Sequence, residues 1–247
     1  MDRRVLVEIC AGDLTSALEA GAGGADRVEL CDNLAVGGTT PSAGTIAEAC
    51  SRLSIPVHVL IRPRGGDFVA SEPELAAMRR DLAIARDLGA AGVVLGVLRP
   101  DATIDRHQTA TLAALARPMS VTFHKAFDQT PDLEASLETL IELGIDRVLT
   151  SGGRPSALEG LDTLARLVRQ AEGRITVLIG GRLNRHNLPS ILDSSQGREI
   201  HLGSAVWRNF PASSNAPPRD ESKPSRAGVD AARVSAIVNL VRSLPIT

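Results

Sequence analysis

Apolar and polar positions along the chain follow a repeated order. A Leu/Ala-rich stretch with helical spacing stops at a glycine, and a short run of Val, Leu and Ile follows. The segments "ALEAGAGGADRVELC", "ARDLGAAGVVLGVL" and "LIELGIDRVLTSGG" share this order. The glycine suits a helix C-terminal cap. The aliphatic run suits a strand buried on both faces of a parallel sheet. Followed through the chain, the pattern predicts strands near 4–10, 26–31, 56–62, 92–97, 119–124, 146–150, 174–179 and 198–202. Helices are predicted near 13–22, 42–52, 72–88, 103–115, 131–143, 156–171 and 184–194, with a further one near 229–243. Eight strand–helix units predict an α/β fold, a (β/α)8 TIM barrel, as a single domain over residues 1–247 with an extra C-terminal helix. An open doubly wound sheet is the alternative. The turn after the first strand, Cys10-Ala11-Gly12-Asp13, carries no dinucleotide fingerprint. Residues 211–228, "PASSNAPPRDESKPSRAG", are Pro/Ser-rich and poor in apolar residues, and are expected to form a mobile loop in the last connection.

Composition narrows the function classes. At 43% hydrophobic residues the chain can bury one large core. A formal net charge of −2 and an aromatic content of 2% argue against nucleic acid or a membrane surface as partner. No apolar run reaches the length of a bilayer span, and the start of the chain is too short and acidic for a signal peptide, so a cytoplasmic location is expected. Three cysteines, Cys10, Cys31 and Cys50, are too few for a disulfide scaffold and are expected as reduced thiols.

Strand side chains alternate between faces. If the aliphatic faces of the strands meet the helices, then Glu8 and Cys10, Glu29 and Cys31, His58 and Arg62, and Thr122 and His124 point into the barrel. Buried unpaired charges cost several kcal/mol each, so the acids are expected to pair with Arg62 and Arg64 and to open toward solvent at the C-terminal mouth, where barrel active sites lie. Glu8, Glu29, His58, Arg62, His124 and Asp128 are therefore candidate catalytic residues. Internal ion pairing without chemistry is the competing explanation for the acids. In "HVLIRPRGGDF" (58–68), Arg64, Gly66 and Asp67 are placed on the rim as ligand-binding candidates. The strand-end turns supply Thr150, Ser151, Gly180, Gly181 and Ser204 as candidates for holding an anion through backbone N–H groups. Such a site takes a small ligand bearing a phosphate or carboxylate. His107 and His186 are placed on solvated helices, and Cys50 in helix packing.

The strings "GADRVELC", "GGTTPS", "IRPRGGDF", "TFHKAFD" and "RVLTSGG", in this order, resemble the CutC family, named for copper homeostasis. The resemblance runs from about residue 7 to residue 208. It implies a cytoplasmic TIM barrel that forms homo-oligomers (dimer or tetramer) and binds copper, as Cu(I), through cysteines of the first two strands. Those are Cys10, in Glu8-Ile9-Cys10, and Cys31, in Glu29-Leu30-Cys31. Soft Cu(I) favours thiolate. The same two thiols also suit a disulfide, or plain core filling. One departure is Arg182 after Gly180-Gly181, where the resemblance leads one to expect a third small residue. Two functions thus stand side by side: copper binding and homeostasis, or an enzyme acting on a small anionic substrate at the mouth. Whether the protein is an enzyme stays open.

Overall fold

The computed structural model describes residues 4–209 and 227–244. Eight parallel strands close into a barrel in chain order. They are β1 (Leu6–Ala11), β2 (Arg27–Leu30), β3 (Val57–Leu60), β4 (Gly92–Leu95), β5 (Ser120–Phe123), β6 (Arg147–Thr150), β7 (Thr176–Gly180) and β8 (Glu199–Leu202). Alternating with them are α1 (Leu14–Ala22), α2 (Ala43–Arg52), α3 (Glu72–Asp87), α4 (Arg106–Ala116), α5 (Leu133–Glu142), α6 (Leu161–Ala171) and α7 (Leu188–Ser195). The extra C-terminal helix is α8 (Ala231–Ser243), preceded by the antiparallel pair β9 (Trp207–Asn209) and β10 (Ala227–Val229). The TIM barrel expected from the pattern is the fold observed. Among the described residues no helix is long and apolar enough to cross a membrane.

Element boundaries follow local chemistry. Asp13, Asp105, Asp132 and Asp230 each accept an N–H from the first turn of the following helix, replacing a bond that the helix cannot make for itself. This is why α4 and α8 begin later than the apolar pattern alone implies. The expected helix over 156–171 starts only at Leu161, because Gly160 is pressed against the Ser151 carbonyl. A Cβ there would lie 1.9 Å from that oxygen. His186 falls in a turn before α7 rather than on a helix, and both His186 and His107 are exposed. Of the expected 211–228 loop, residues 211–226 lie outside the described residues, and Ala227 and Gly228 belong to β10.

The alternation of the strands divides the interior in two. Val7, Ile9, Val28, Leu30, Val57, Val59 and Val121 join the large core between sheet and helices. A separate small cluster inside the barrel contains Cys10, Cys31, Leu60 and Val94. Gly92 gives the His58 ring its room, since a Cβ at 92 would sit 2.5 Å from His58 Nε2. The apolar set drives the sheet onto its helices, and the leftover parity carries the polar residues inward.

Candidate functional site

The interior acids are neutralised from below and from the side. Glu8 Oε2 accepts from Arg27 Nε, and both residues are almost fully buried. Arg27 also reaches Glu199 at 2.6 Å, and Glu199 accepts from Arg147 at 2.6 Å. Arg147 in turn donates to Ser120 Oγ at 3.0 Å. The other Glu8 oxygen lies 2.7 Å from His201 Nδ1. The expected partners, Arg62 and Arg64, are not the ones used. Arg62 sits just beyond β3, where its guanidinium donates to the carbonyls of Val36, Gly38 and Gly66 and lies 4.8 Å from the Phe68 ring. Arg64 is exposed and pairs with Asp67 and Glu74 on the surface. Rim loops, not interior acids, take these two charges.

Register then builds the thiol site. The β8–β1 ladder places His201 beside Glu8, and the β1–β2 ladder places Cys10 beside Glu29. Cys31 follows Glu29 by two residues on the same face of the chain. The sulfurs of Cys10 and Cys31 are 3.9 Å apart, and both thiols are free. Cys31 Sγ is 3.5 Å from Glu29 Oε2, and that oxygen is 3.7 Å from His201 Nε2. Donor atoms of Cys10, Glu29 and Cys31 all lie within 4.8 Å of one another, a spacing that can hold a metal ion. The four residues line a cavity of about 140 Å³ whose other walls include Arg62, Phe68, His124 and Lys125.

The electrostatics of this cluster follow from burial and from its neighbours. Burial opposes a charge on Glu8, but Arg27 and His201 overcome it and hold the carboxyl well below its usual range. The hydrogen bond with Cys31 draws the Cys10 thiol down to about 5 against burial. Cys31 is pushed well above the usual thiol range by its contact with Cys10 and by burial. Burial and the adjacent Cys10 sulfur push Glu29 up to about 8. Burial works against a charge on His201 and is overcome by Glu29, Cys10 and Glu8, so its imidazole titrates well above the ordinary value. The cluster therefore holds protons that a metal ion can displace.

The remaining candidates separate by position. His124 lines the cavity, and its Nδ1 accepts the Ala126 N–H at 3.2 Å, which leaves the proton of the neutral ring on Nε2. Burial, then Arg62, lowers His124 to about 3. His58 lies deeper, its Nδ1 has no partner among the described residues, and burial lowers it to about 4. Neither ring carries charge at neutral pH. Asp128 does not line the cavity. Its carboxylate accepts the Thr150 hydroxyl at 2.5 Å and the N–H groups of Ser151 and Gly153 at 3.0 and 2.9 Å. The turn expected to hold an external anion at Thr150 and Ser151 thus already holds one of the chain's own. Gly180 and Gly181 serve close packing: a Cβ would meet Leu149 at the first and Ser151 at the second, each at 2.7 Å. Gly66 offers Arg62 its carbonyl, and Asp67 and Ser204 are exposed. Sequence reasoning passed over His201 and Arg27. The signal was the parity that singled out Cys10 and Glu29: Arg27, Glu29 and Cys31 share one face, as do Glu199 and His201.

The profile of the CutC family matches residues 5–206. The chain belongs to the CutC family. It is 48% identical over 204 residues to the copper homeostasis protein cutC homolog of Homo sapiens, covering 83% of this chain and 75% of that protein. A CutC family protein of Chromobacterium violaceum is 50% identical over 196 residues, 79% of each chain. The crystal structure of a CutC copper homeostasis protein from Streptococcus agalactiae superposes with a TM-score of 0.76 at 38% identity, covering 81% of this chain and 98% of that one. Phosphoribosylanthranilate isomerase from Thermotoga maritima, at 16% identity and a TM-score of 0.57 over 97% of this chain and all of that one, shares the fold alone.

Two predictions test this CutC-family interior. Arg27→Met leaves Glu8 buried without its partner and is expected to destabilise by about 3–5 kcal/mol in urea denaturation, whereas Arg64→Met, itself exposed and paired at the surface, is expected to leave the midpoint nearly unchanged. Equal losses in both variants would contradict the assigned pairing. The second concerns His124, whose folded pKa of about 3 lies below the unfolded value of about 6.5. The unfolded state then binds more protons between those limits, so this contribution is complete above pH 6.5 and is lost as pH falls toward 3. The Tm advantage of the parent over His124→Asn is expected to shrink across that window. An advantage that stays constant from pH 7 to pH 4 would show that His124 is not held neutral.

Proposed function

We propose that this CutC-family barrel binds Cu(I) between Cys10 and Cys31 and takes part in copper homeostasis, in the cytoplasm and as a homo-oligomer. The observation that carries the reading is the 3.9 Å separation of the two buried sulfurs. A disulfide needs about 2.05 Å. Two metal–thiolate bonds of about 2.3 Å span close to 4 Å around a bent site. Thiolate is the donor that soft Cu(I) favours, and Cys10 is held toward that form. The copper homeostasis names of the relatives point the same way. Among this chain's residues, Cys10 and Cys31 would grip the ion, Glu29 would sit beside it, and Glu8 would orient His201 against the cluster.

A second reading, an enzyme acting on a small carboxylate or phosphate, is favoured by one arrangement. Cys10, whose thiol is drawn down, shares its cavity with Glu29, His201 and the cationic Arg62 and Lys125. This combination provides a nucleophile, proton carriers and positive charge for an anion.

Competition between the reduced protein and a Cu(I) chelator is expected to give one tightly held ion per chain, lost in Cys10→Ser/Cys31→Ser. An unchanged affinity in that double variant would exclude the thiol site. For the second reading, small carboxylates and phosphates screened on the metal-free protein are expected to raise Tm by mass action, less so in Arg62→Lys. A panel without a single Tm increase would remove the enzymatic reading.

A further inference from the structure

The cavity beside the thiols is also lined by basic groups whose charge the copper reading leaves unused. Arg62 is 8% exposed and His124 6%. Both lie against Phe68: the guanidinium carbon is 4.8 Å from the ring centroid, and the Phe68 and His124 centroids are 4.8 Å apart. Each keeps an unmatched donor. Arg62 gives three hydrogen bonds to carbonyls, which do not neutralise its charge, and its Nε has no partner among the described residues. His124 accepts the Ala126 N–H at Nδ1, so its own N–H is on Nε2, for which the described residues supply no acceptor. A buried donor or charge without a partner is costly. An anion entering the cavity would meet both needs at once. Lys125, next to His124 in the chain, adds an ammonium to the lining.

We propose that Arg62, His124 and Lys125 form a carboxylate subsite, and that the cavity takes a hydroxy or oxo monocarboxylic acid of about six non-hydrogen atoms. The proposal rests on the enzymatic reading and gives its substrate a chemical class. Size sets the upper limit: a cavity of about 150 Å³ takes one benzene, and this one is about 140 Å³. Carboxylate fits better than phosphate. Barrels hold phosphate largely through converging backbone N–H groups of strand-end turns. In the turn after β6, Asp128 already fills that position. After β7, Gly180 and Gly181 are packed against Leu149 and Ser151. What remains is a guanidinium, an imidazole N–H and an ammonium, a donor set suited to a planar anion. Leu34, Leu60 and Leu149 give the lining an apolar stretch for a short carbon chain. Cys10, Glu29 and His201 complete it with polar groups that match a hydroxyl or carbonyl oxygen.

The test titrates the reduced, metal-free full-length protein with pyruvate, lactate, pyruvamide and inorganic phosphate, followed by calorimetry and by Tm. Pyruvate or lactate is expected to bind once per chain and to raise Tm by mass action. Pyruvamide, which lacks the charge, and phosphate are expected to bind at least about tenfold more weakly. His124→Phe keeps a ring in place and removes the Nε2 donor, and Lys125→Met removes an exposed charge. Pyruvate affinity is expected to fall about tenfold in the first and by a smaller factor in the second. Equal affinity for pyruvate and pyruvamide in the parent, which needs no variant to observe, would overturn the proposal. So would pyruvate binding that a folded His124→Phe leaves intact. A Tm increase with phosphate alone would overturn the carboxylate subsite and leave the enzymatic reading standing, whereas no Tm increase with any small anion removes both.

Discussion

The buried pairing of Glu8 with Arg27 is the constraint on which the interior depends. A carboxylate at the centre of a closed barrel cannot stay charged without a partner. Arg27 supplies that partner from the neighbouring strand, and Glu199 and Arg147 carry the compensation round to β6 and β8. With its charge secured from one side, Glu8 has a second oxygen left to hold His201. The ion pair is thus the floor beneath the thiol cluster, and it turns an otherwise costly polar interior into a support for the donor atoms of Cys10, Glu29 and Cys31.

The barrel geometry explains why these donors meet. Strand register sets Cys10 beside Glu29 and Glu8 beside His201, and the two-residue period raises the sulfurs above the ion pairs toward the C-terminal mouth. Leu60 and Val94 fill the rest of that level and exclude water from one side of the thiols. The same geometry places His58 against Gly92, below the site. Packing holds it there, and its low pKa is a result of burial rather than a sign of proton transfer.

Much of this was legible in the sequence. The helix–glycine–strand order marks the eight units, and parity along β1 and β2 marks Glu8, Cys10, Glu29 and Cys31 as inward. The pairing was not legible, because a strand's parity says which face a residue shares but not which neighbour it meets. Arg27 opens its strand directly after the "GGAD" turn, where it resembles a boundary residue, and His201 lies in "REIHLGS", a short segment with little aliphatic contrast between faces. Arg62 and Arg64 drew attention because they stand in a distinctive string. The rim loops give them partners that no linear pattern specifies. Asp128 has a similar lesson: its "TFHKAFD" context suggested chemistry, while its carboxylate closes the following turn from within.

The rim also bears on what the site can admit. Arg62 donates three hydrogen bonds to carbonyls of the segments after β2 and β3, and its guanidinium lies against Phe68, which in turn stacks near His124 with ring centroids 4.8 Å apart. A guanidinium committed to three carbonyls acts as a fastener as well as a charge. It fixes two loops at the wall of a cavity of about 140 Å³. Positive charge on Arg62 and Lys125 at the wall also offsets the net negative charge that two thiolates and a carboxylate would bring to a bound ion. Charge balance therefore favours the same class of occupant that the spacing of the donors does.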